Sequence, residues 1–323
     1  MKITKSLTNC YNKLSNFGKI LIFIALMLVL VIFFKSIEKT REGMDTLESM
    51  GIEPNNVNTQ TEKFLFKEGN AVYDDFYANV YDYLVFNYVK NNYEVGMIIN
   101  STSPSEKSVI ADIGCGTGHQ VNDLKSRNLQ VIGIDISPSM IQKAKLEHPN
   151  YANNFIVGDG LDSTIFKYNS LTHILCLYFT IYYMKDKMKF FYNCMDWLMP
   201  GGYLIIHLVD KYKFDPILPP GNPLYVVSPQ KYAKERITKT KITFNDFIYD
   251  SNFKLDDNDI AIFDEKFKFN DGRIRKQEQI LYMEDLPTIV NMAQEAGFLI
   301  HARIDMVKCA YEYQYLYVFV KPN

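Results

Sequence analysis

Short apolar segments alternate with amphipathic, helix-length segments along most of the chain. The apolar segments favour buried strands because they are rich in Val, Ile and Leu and end at polar or glycine residues. Strands that alternate with helices in this way predict an α/β domain with a mostly parallel sheet. The predicted strands are 109–111, 131–135, 154–159, 173–178 and a fifth that ends at His207, and the predicted helices are 121–128, 139–148, 185–198 and 284–296.

Two segments depart from this alternation. Residues 70–89 carry aromatic and aliphatic side chains at helical spacing, which predicts an amphipathic helix. Residues 211–279 instead place apolar residues near period two, with Asn270-Asp271-Gly272 between two such runs. That pattern indicates hairpins, so a small antiparallel lid is predicted after the fifth strand, at about 211–280. The last two predicted strands are 298–304 and 311–320.

An unbroken apolar run, Ile20–Phe34, lies near the N-terminus. Its 15 residues give roughly 22 Å of helix, and snorkelling by Lys19 and Lys35 brings the segment to spanning length. It predicts a transmembrane helix over 19–37. A cleaved signal peptide is disfavoured because no small-residue cleavage site follows, and a buried soluble helix because the run is apolar on every face.

The expected domain organisation is an N-terminal tail (1–18), the transmembrane helix, a polar linker (38–69) and one globular domain (70–323). A chain of 323 residues with 47% hydrophobic content can bury one substantial core. Its net charge of −2 gives no electrostatic reason to expect a nucleic-acid partner. The five cysteines lack metal-ligand spacing, which favours free thiols in a reducing compartment and no metal site.

The candidate chemistry begins at Asp112-Ile113-Gly114-Cys115-Gly116-Thr117-Gly118, directly after the first strand of the domain. Glycine at every second position lets the backbone turn tightly and approach a ligand closely. A dinucleotide fingerprint would need Gly or Ala at its sixth position, where this chain has His119, so a nicotinamide dehydrogenase is disfavoured. Acidic residues also end the second and third strands, at Asp135 and Asp159.

This ordered series resembles motif I and the following strand ends of the class I S-adenosylmethionine-dependent methyltransferases, over about residues 73–320. The resemblance implies S-adenosyl-L-methionine as cofactor and a Rossmann-like methyltransferase fold. That fold is a mostly parallel seven-stranded sheet with an antiparallel C-terminal strand. It also implies that Asp135 binds both ribose hydroxyls, that Ile136 packs on the adenine and that Asp159 caps the adenine amino group. A tyrosine before motif I commonly touches the methionine end of the cofactor, which implicates Tyr73. The predicted cofactor-binding residues are Tyr73, Asp112, Gly114, Cys115, Gly116, Gly118, Asp135, Ile136, Met140, Asp159, Gly160 and Leu177.

Candidate catalytic residues follow the fourth and fifth strands, because open α/β sheets bind ligands at the carboxyl ends of their strands. Tyr182 and Tyr183 follow the fourth strand and either face the acceptor or pack against the next helix. His207 ends the fifth strand and is either a general base or a buried structural histidine. The fourth strand opens with Thr172 and His173, where the family commonly has an acidic residue.

The leading hypothesis is S-adenosylmethionine-dependent methyl transfer to a small-molecule or lipid-like acceptor at a membrane. A membrane-tethered scaffold that binds the cofactor without turnover, and a protein methyltransferase, are the alternatives. A slight lysine excess before the span favours a cytosolic N-terminus, which would place the domain on the far side of the membrane. The free thiols and the cytosolic cofactor favour a single-pass protein with its catalytic domain in the cytosol or another reducing compartment, and we give them more weight.

Overall fold

The N-terminal unit holds the predicted span. The structure, a computed structural model, describes residues 18–20, 22, 24–25, 27–31, 60–221 and 228–323. The chain divides into residues 1–54 and residues 55–323, and the described residues of the first unit are helical. No helix in the described part of the chain combines the length and the apolar character needed to cross a bilayer. The predicted span over 19–37 lies only partly within the described residues, and the predicted tail before Gly18 and linker residues 38–59 lie outside them.

The second unit, described from residue 60 onward except at 222–227, contains all the strands discussed below. The strands are β1 (Phe64–Glu68), β2 (Val109–Ile113), β3 (Gln130–Asp135), β4 (Phe155–Val157), β5 (Leu171–Cys176), β6 (Leu198–Val209), β7 (Lys239–Thr243), β8 (Phe247–Leu255), β9 (Ile260–Phe269), β10 (Ile274–Tyr282), β11 (Leu299–Asp305) and β12 (Gln314–Val320). The α-helices are α1 (Asp75–Val85), α2 (Tyr88–Thr102), α3 (His119–Ser126), α4 (Pro138–Glu147), α5 (Thr180–Tyr183), α6 (Lys187–Trp197) and α7 (Leu286–Glu295).

The central sheet has seven strands in the order β11-β12-β6-β5-β2-β3-β4. Strand β12 runs antiparallel to both of its neighbours, and the remaining pairs are parallel. Apolar residues of α2, α3 and α4 pack on one face, and those of α6 and α7 on the other. The predicted Rossmann-like α/β fold with one antiparallel C-terminal strand is therefore confirmed.

A second sheet of five strands, in the order β1-β10-β9-β8-β7, forms the predicted lid. The neighbouring pairs from β7 to β10 are antiparallel, and Asn270-Asp271-Gly272 lies in the turn between β9 and β10 as predicted. Strand β1 adds to this sheet parallel to β10, although its residues fall within the predicted linker. Its exposed Phe64 and Phe66 gave no amphipathic signal, so only the pairing with β10 reveals it as a strand.

The predicted helix over 70–89 is two helices in the structure. Helix α1 begins after Asp74, whose side chain accepts from the Tyr77 amide, and it ends before Phe86. Asn87 then starts α2, because its side chain accepts a hydrogen bond from the Lys90 amide at 3.0 Å. Apolar periodicity alone did not reveal this cap. The break places the far end of α1 and the start of α2 beside the glycine loop.

Candidate cofactor and active site

A cavity of about 340 Å³ lies at the carboxyl ends of β2, β3, β4 and β5, under the lid sheet. The residues that line it include most of the predicted site. Those residues are Tyr73, Asp112, Gly114, Cys115, Gly116, Asp135, Ile136, Met140, Asp159, Gly160, Leu177 and Tyr183. The parallel strand order brings them together, because successive βα units end at the same edge of the sheet.

The three glycines of the loop between β2 and α3 have different structural roles. All three have positive φ angles, of 73° at Gly114, 55° at Gly116 and 87° at Gly118. A Cβ on Gly114 would lie 2.5 Å from Thr180 Cγ2, and a Cβ on Gly118 would lie 2.5 Å from the Phe155 ring. A Cβ on Gly116 would meet only the Tyr81 ring, at 3.7 Å, within the lining of the cavity. Gly116 is thus the position where a ligand can approach the backbone, whereas Gly118 does not line the cavity and allows close helix packing.

Asp135 connects the glycine loop to the start of α4. Its Oδ2 accepts from the Gly116 amide and its Oδ1 from the Ser137 amide, both at 2.9 Å. Burial raises the pKa of the Asp135 carboxyl, while the bonds from Ser137 and Gly116 oppose that rise. Ile136, the next residue, is exposed and lines the cavity. A carboxylate beside an exposed aliphatic side chain fits a nucleoside.

Asp159 lies beyond β4, at the next strand end. Its Oδ1 accepts from the Leu161 amide at 2.9 Å, which fixes the side chain at the cavity wall. The adjacent Gly160 leaves room for its neighbours, because a Cβ there would lie 2.7 Å from Ile113 Cγ2. Asp135 and Asp159 thus border the nucleoside end of the cavity.

Two buried charged side chains, Asp112 and Lys90, lie at the opposite end of the glycine loop. Asp112 is 2% exposed, and burial, with further contributions from Glu94 and Asp135, raises its pKa to about 7. Lys90 of α2 lines the same cavity, ion-paired with Glu94 at 2.9 Å and 5.0 Å above the Tyr178 ring. A buried carboxylate and a buried ammonium lining one cavity fit the α-amino and α-carboxylate groups of a methionine moiety.

Another ion pair lies beneath the loop. Asp82 of α1 accepts from Thr117 Oγ1 at 2.7 Å and contacts His119 Nε2 at 2.9 Å. The His119 partner and the Thr117 hydroxyl lower the pKa of Asp82 against the burial that raises it, and Asp82 in turn raises the pKa of His119. His119, the residue that departs from the dinucleotide fingerprint, thus pairs with Asp82 of α1.

Tyrosine side chains form the wall beneath the lid. Tyr73 Oη and Tyr183 Oη donate to the same oxygen, Gln279 Oε1 of β10, at 2.8 and 2.6 Å. The Tyr73 and Tyr183 rings also contact edge to face, with centroids 6.0 Å apart. Burial raises the pKa of Tyr73, so these hydroxyls are neutral near pH 7.

The structure does not bring two of the predicted catalytic residues to the cavity. Tyr182 is fully buried, and its hydroxyl accepts from the Val209 amide at 2.8 Å, which ties α5 to β6. His207 is fully buried as well, and its Nδ1 donates to the Tyr178 carbonyl at 2.7 Å. Burial lowers the pKa of His207 to about 4. Both side chains therefore take the structural alternatives considered from the sequence.

The unusual opening of the fourth strand lies away from the cavity. Thr172 Oγ1 contacts the Val109 amide and carbonyl at 2.9 and 3.0 Å, and His173 is buried beside it. Both residues are at the amino end of β5, whereas the cavity is at the carboxyl end. Their identity does not bear on the geometry of the site.

Sequence reasoning missed Lys90, Tyr178 and Gln279. Tyr178 has a φ of 51°, uncommon for a residue other than glycine, and lies directly after β5 on the cavity wall. Two signals were available in the sequence. Lys90 and Glu94 are four residues apart on one helix, and polar residues occupy inward positions of β9 and β10 that otherwise hold apolar residues.

Comparisons with known proteins agree with this geometry. Residues 111–206 match the family model described as "Methyltransferase domain". The chain is 26% identical over 148 residues to dTDP-4-amino-2,3,4,6-tetradeoxy-D-glucose N,N-dimethyltransferase of Saccharopolyspora spinosa. That match covers 44% of this chain and 57% of the relative, so the chain spans little more than half the length of that curated relative.

Solved structures show the same fold. An S-adenosylmethionine-dependent methyltransferase from Clostridium acetobutylicum superimposes with a TM-score of 0.59 at 16% identity, covering 76% of this chain and 98% of that one. A sugar N-methyltransferase from a Streptoalloteichus species gives 0.54 at 18% identity, with coverage of 73% and 88%. Residues 111–206 thus match a methyltransferase domain, and the solved structures show that the chain has the fold of S-adenosylmethionine-dependent methyltransferases.

Proposed function

We propose that this protein is a class I S-adenosylmethionine-dependent methyltransferase and that it transfers the methyl group of S-adenosylmethionine to a small-molecule acceptor. The observation that carries the proposal is one continuous cavity with two chemically different parts. Gly116, Asp135 and Ile136 line the part that fits the nucleoside. Tyr73 and Tyr183 line the part that extends beneath the lid.

The acceptor part of the cavity is largely apolar. Phe214 and Leu218 follow β6, and Phe253, Phe263 and Leu281 come from three strands of the lid sheet. The lid thus supplies much of the wall that an acceptor would contact. A space of this size covered by a sheet favours a small acceptor over a folded protein or a nucleic acid.

The chain's own groups need only position the two reactants. The cofactor, when bound, supplies a methyl group already activated by the sulfonium. Asp112 and Lys90 would hold the amino-acid end, while the apolar lid excludes water from the acceptor. Positioning of this kind contributes much of the rate acceleration when a reactive centre is already activated.

Names of similar proteins support a sugar-type acceptor as the finer proposal. The curated relative is named for an amino sugar carried on a nucleoside diphosphate, and one solved neighbour is a sugar N-methyltransferase. A lipid-like acceptor suits the apolar wall beneath the lid and stays within the proposal.

We also propose that the apolar N-terminal run attaches the chain to a membrane, with the catalytic domain in the cytosol or another reducing compartment. The sequence from Ile20 to Phe34 supports this proposal, as do the buried free thiols of the described cysteines. The test compares the full chain with a variant that starts at residue 60, which keeps β1 paired with β10. We expect the shorter variant to bind S-adenosylmethionine normally and to appear in the soluble fraction. If it stays with membranes after a high-salt wash, the run is not the attachment site.

The proposed activity is tested with labelled cofactor. The full chain is incubated with methyl-labelled S-adenosylmethionine and a small-molecule extract, a lipid extract or a protein extract. We expect label in the small-molecule or lipid fraction and not in protein. Label confined to protein would refute the acceptor class. Cofactor binding without any labelled product would favour the scaffold that binds without turnover.

A further inference from the structure

The lid sheet contains a buried hydrogen-bond network centred on Glu265 of β9, which is 2% exposed. At Oε1 the carboxylate accepts from Tyr77 Oη at 3.0 Å and Tyr249 Oη at 2.6 Å. At Oε2 it accepts from Gln277 Nε2 at 2.7 Å and Gln279 Nε2 at 2.5 Å. A buried carboxyl with donors on both oxygens is satisfied as a carboxylate.

The orientation of these amides follows from Arg275. Its Nε lies 2.7 Å from Gln277 Oε1, and a guanidinium can only donate, so the Gln277 carbonyl faces Arg275 and its amide nitrogen faces Glu265. The charge of Arg275 is paired with Asp74 Oδ2 at 2.8 Å. Burial raises the pKa of Glu265, and the four hydrogen bonds that it accepts oppose that rise.

Gln279 links this network to the tyrosines that line the cavity. The two protons of its Nε2 are directed at Glu265 Oε2 and Tyr77 Oη, at 2.5 and 3.0 Å. Its Oε1 therefore faces the other way and accepts both phenolic protons, from Tyr73 and Tyr183. Since each hydroxyl has one proton, only lone pairs of the two Oη atoms are left to face a ligand.

The Tyr73 and Tyr183 hydroxyls beneath the lid consequently accept hydrogen bonds from a ligand and do not donate them. An anionic nucleophile, such as a carboxylate or a thiolate, would be repelled by the lone pairs of these hydroxyls and by the buried charge of Glu265. An amine presents N–H groups, and positive charge develops on its nitrogen as the methyl group arrives. Oxygen atoms placed at that nitrogen stabilise the developing charge.

We propose that the methyl acceptor is a primary or secondary amine whose N–H groups donate to Tyr73 and Tyr183, with Gln279 as the residue that positions both hydroxyls. This inference rests on the proposed function and specifies its acceptor atom. An alcohol is a poorer fit because it has one O–H, which it must lose to become an ether. The two hydroxyls, whose protons are held by Gln279, would then face an oxygen without a donor.

The transfer balances without a further reactant. The nitrogen lone pair forms the N–C bond as the C–S bond breaks, and the sulfonium sulfur takes that electron pair and becomes a neutral thioether. The nitrogen becomes an ammonium that keeps its N–H contacts with Tyr73 and Tyr183, and it releases a proton to water once the product leaves. A secondary amine still has one N–H to donate, so a second methylation is possible. A neutral tertiary amine has none, so the reaction stops at the dimethylated product.

The position of the transferred methyl group tests the inference. The full chain is incubated with methyl-¹³C S-adenosylmethionine and a small-molecule extract, and carbon NMR of the products identifies the atom that carries the label. We expect N-methyl signals. Label on oxygen, sulfur or carbon would overturn the amine assignment and leave the proposed methyl transfer intact. Absence of any labelled product would instead refute the proposed function, and the inference with it.

Variants then separate positioning from general stability. Tyr73→Phe and Tyr183→Phe remove the two hydroxyls without touching Glu265, and Gln279→Met removes the amide that orients them. With the labelled amine as substrate, each variant is expected to lower kcat about tenfold or more, since each removes hydrogen bonds that strengthen as charge develops. In Tyr183→Phe and Gln279→Met, which change no predicted cofactor-binding residue, affinity for S-adenosylmethionine should stay within about twofold of the wild type.

The matched control is Lys276→Met on the exposed face of the same strand, β10, for which the wild-type rate is expected. Gln279→Met should also reduce the preference for the amine over the alcohol of the same carbon skeleton, because freed phenolic protons can donate. Wild-type kcat in both tyrosine variants, or an unchanged amine preference in Gln279→Met, would refute the positioning role.

Discussion

Gly116→Val tests the assignment of the glycine loop most directly. The residue has a φ of 55°, and an added Cβ would meet only the Tyr81 ring at 3.7 Å. The left-handed conformation costs a residue with a side chain about 1–2 kcal/mol, and a β-branched residue is the least tolerant. For a domain of this size, that cost lowers Tm by about 2–8 °C. The variant should therefore still fold.

The effect on binding is larger, because the valine methyl groups extend into the space that the cofactor would occupy. We expect the affinity for S-adenosylmethionine to fall at least about 100-fold, a loss of about 2.7 kcal/mol or more. Calorimetric titration measures the affinity, and a thermal melt verifies the fold. Gly272→Val is the matched control, since Gly272 has a φ of 89°, nothing within 4 Å of its added Cβ, and a place in the β9–β10 turn outside the cavity.

Gly272→Val should lose similar stability and keep its affinity. Gly118→Ala should lower stability more than Gly116→Val does, because its Cβ would lie 2.5 Å from the Phe155 ring. Its effect on the affinity for S-adenosylmethionine should be smaller than that of Gly116→Val, because Gly118 does not line the cavity. A folded Gly116→Val protein that binds S-adenosylmethionine within about twofold of the wild-type affinity would refute the assignment of this loop to the cofactor.

Three further predictions follow from particular contacts. Asp135→Ala should lower the affinity for S-adenosylmethionine by about 2–4 kcal/mol, since it removes the predicted ribose ligand and the acceptor of two backbone amides; a calorimetric affinity within about twofold of wild type would contradict it. The Asp82–His119 pair should stabilise the protein most between about pH 4 and pH 6.5. The pKa of Asp82 is lowered in the folded protein, so its contribution to stability is lost as pH falls through that folded-state pKa. The pKa of His119 is raised, so its contribution is lost as pH rises through the folded-state pKa of His119. The Tm difference between wild type and His119→Asn should therefore be larger at pH 5.5 than at pH 8.5, and an equal difference would count against the pair. His207→Asn should lower Tm and leave the pH profile of turnover unchanged, because His207 is buried with a pKa of about 4 and holds the Tyr178 carbonyl; a shifted profile would restore its candidacy as a base.

The sequence by itself determined the order of the elements and the cofactor end of the site. Apolar strands, glycine spacing and strand-end acids are local patterns, and a parallel βα succession leaves few ways to arrange them. For that reason Asp112, Gly116, Asp135 and Asp159 all lie on one cavity, as the motif order predicted.

The acceptor end depended on tertiary structure. Gln279 is far from Tyr73 and Tyr183 in sequence and meets them only because the lid sheet folds over the cavity. The sequence predicted that His207 ends a strand, whereas β6 continues to Val209. Only the packing of the strand's neighbours decided that His207 is buried. Strand β1 likewise became recognisable only through its pairing with β10, since edge strands need no apolar alternation of their own. Local sequence patterns specify elements and the loops that join them, whereas contacts between residues distant in sequence depend on how the two sheets pack.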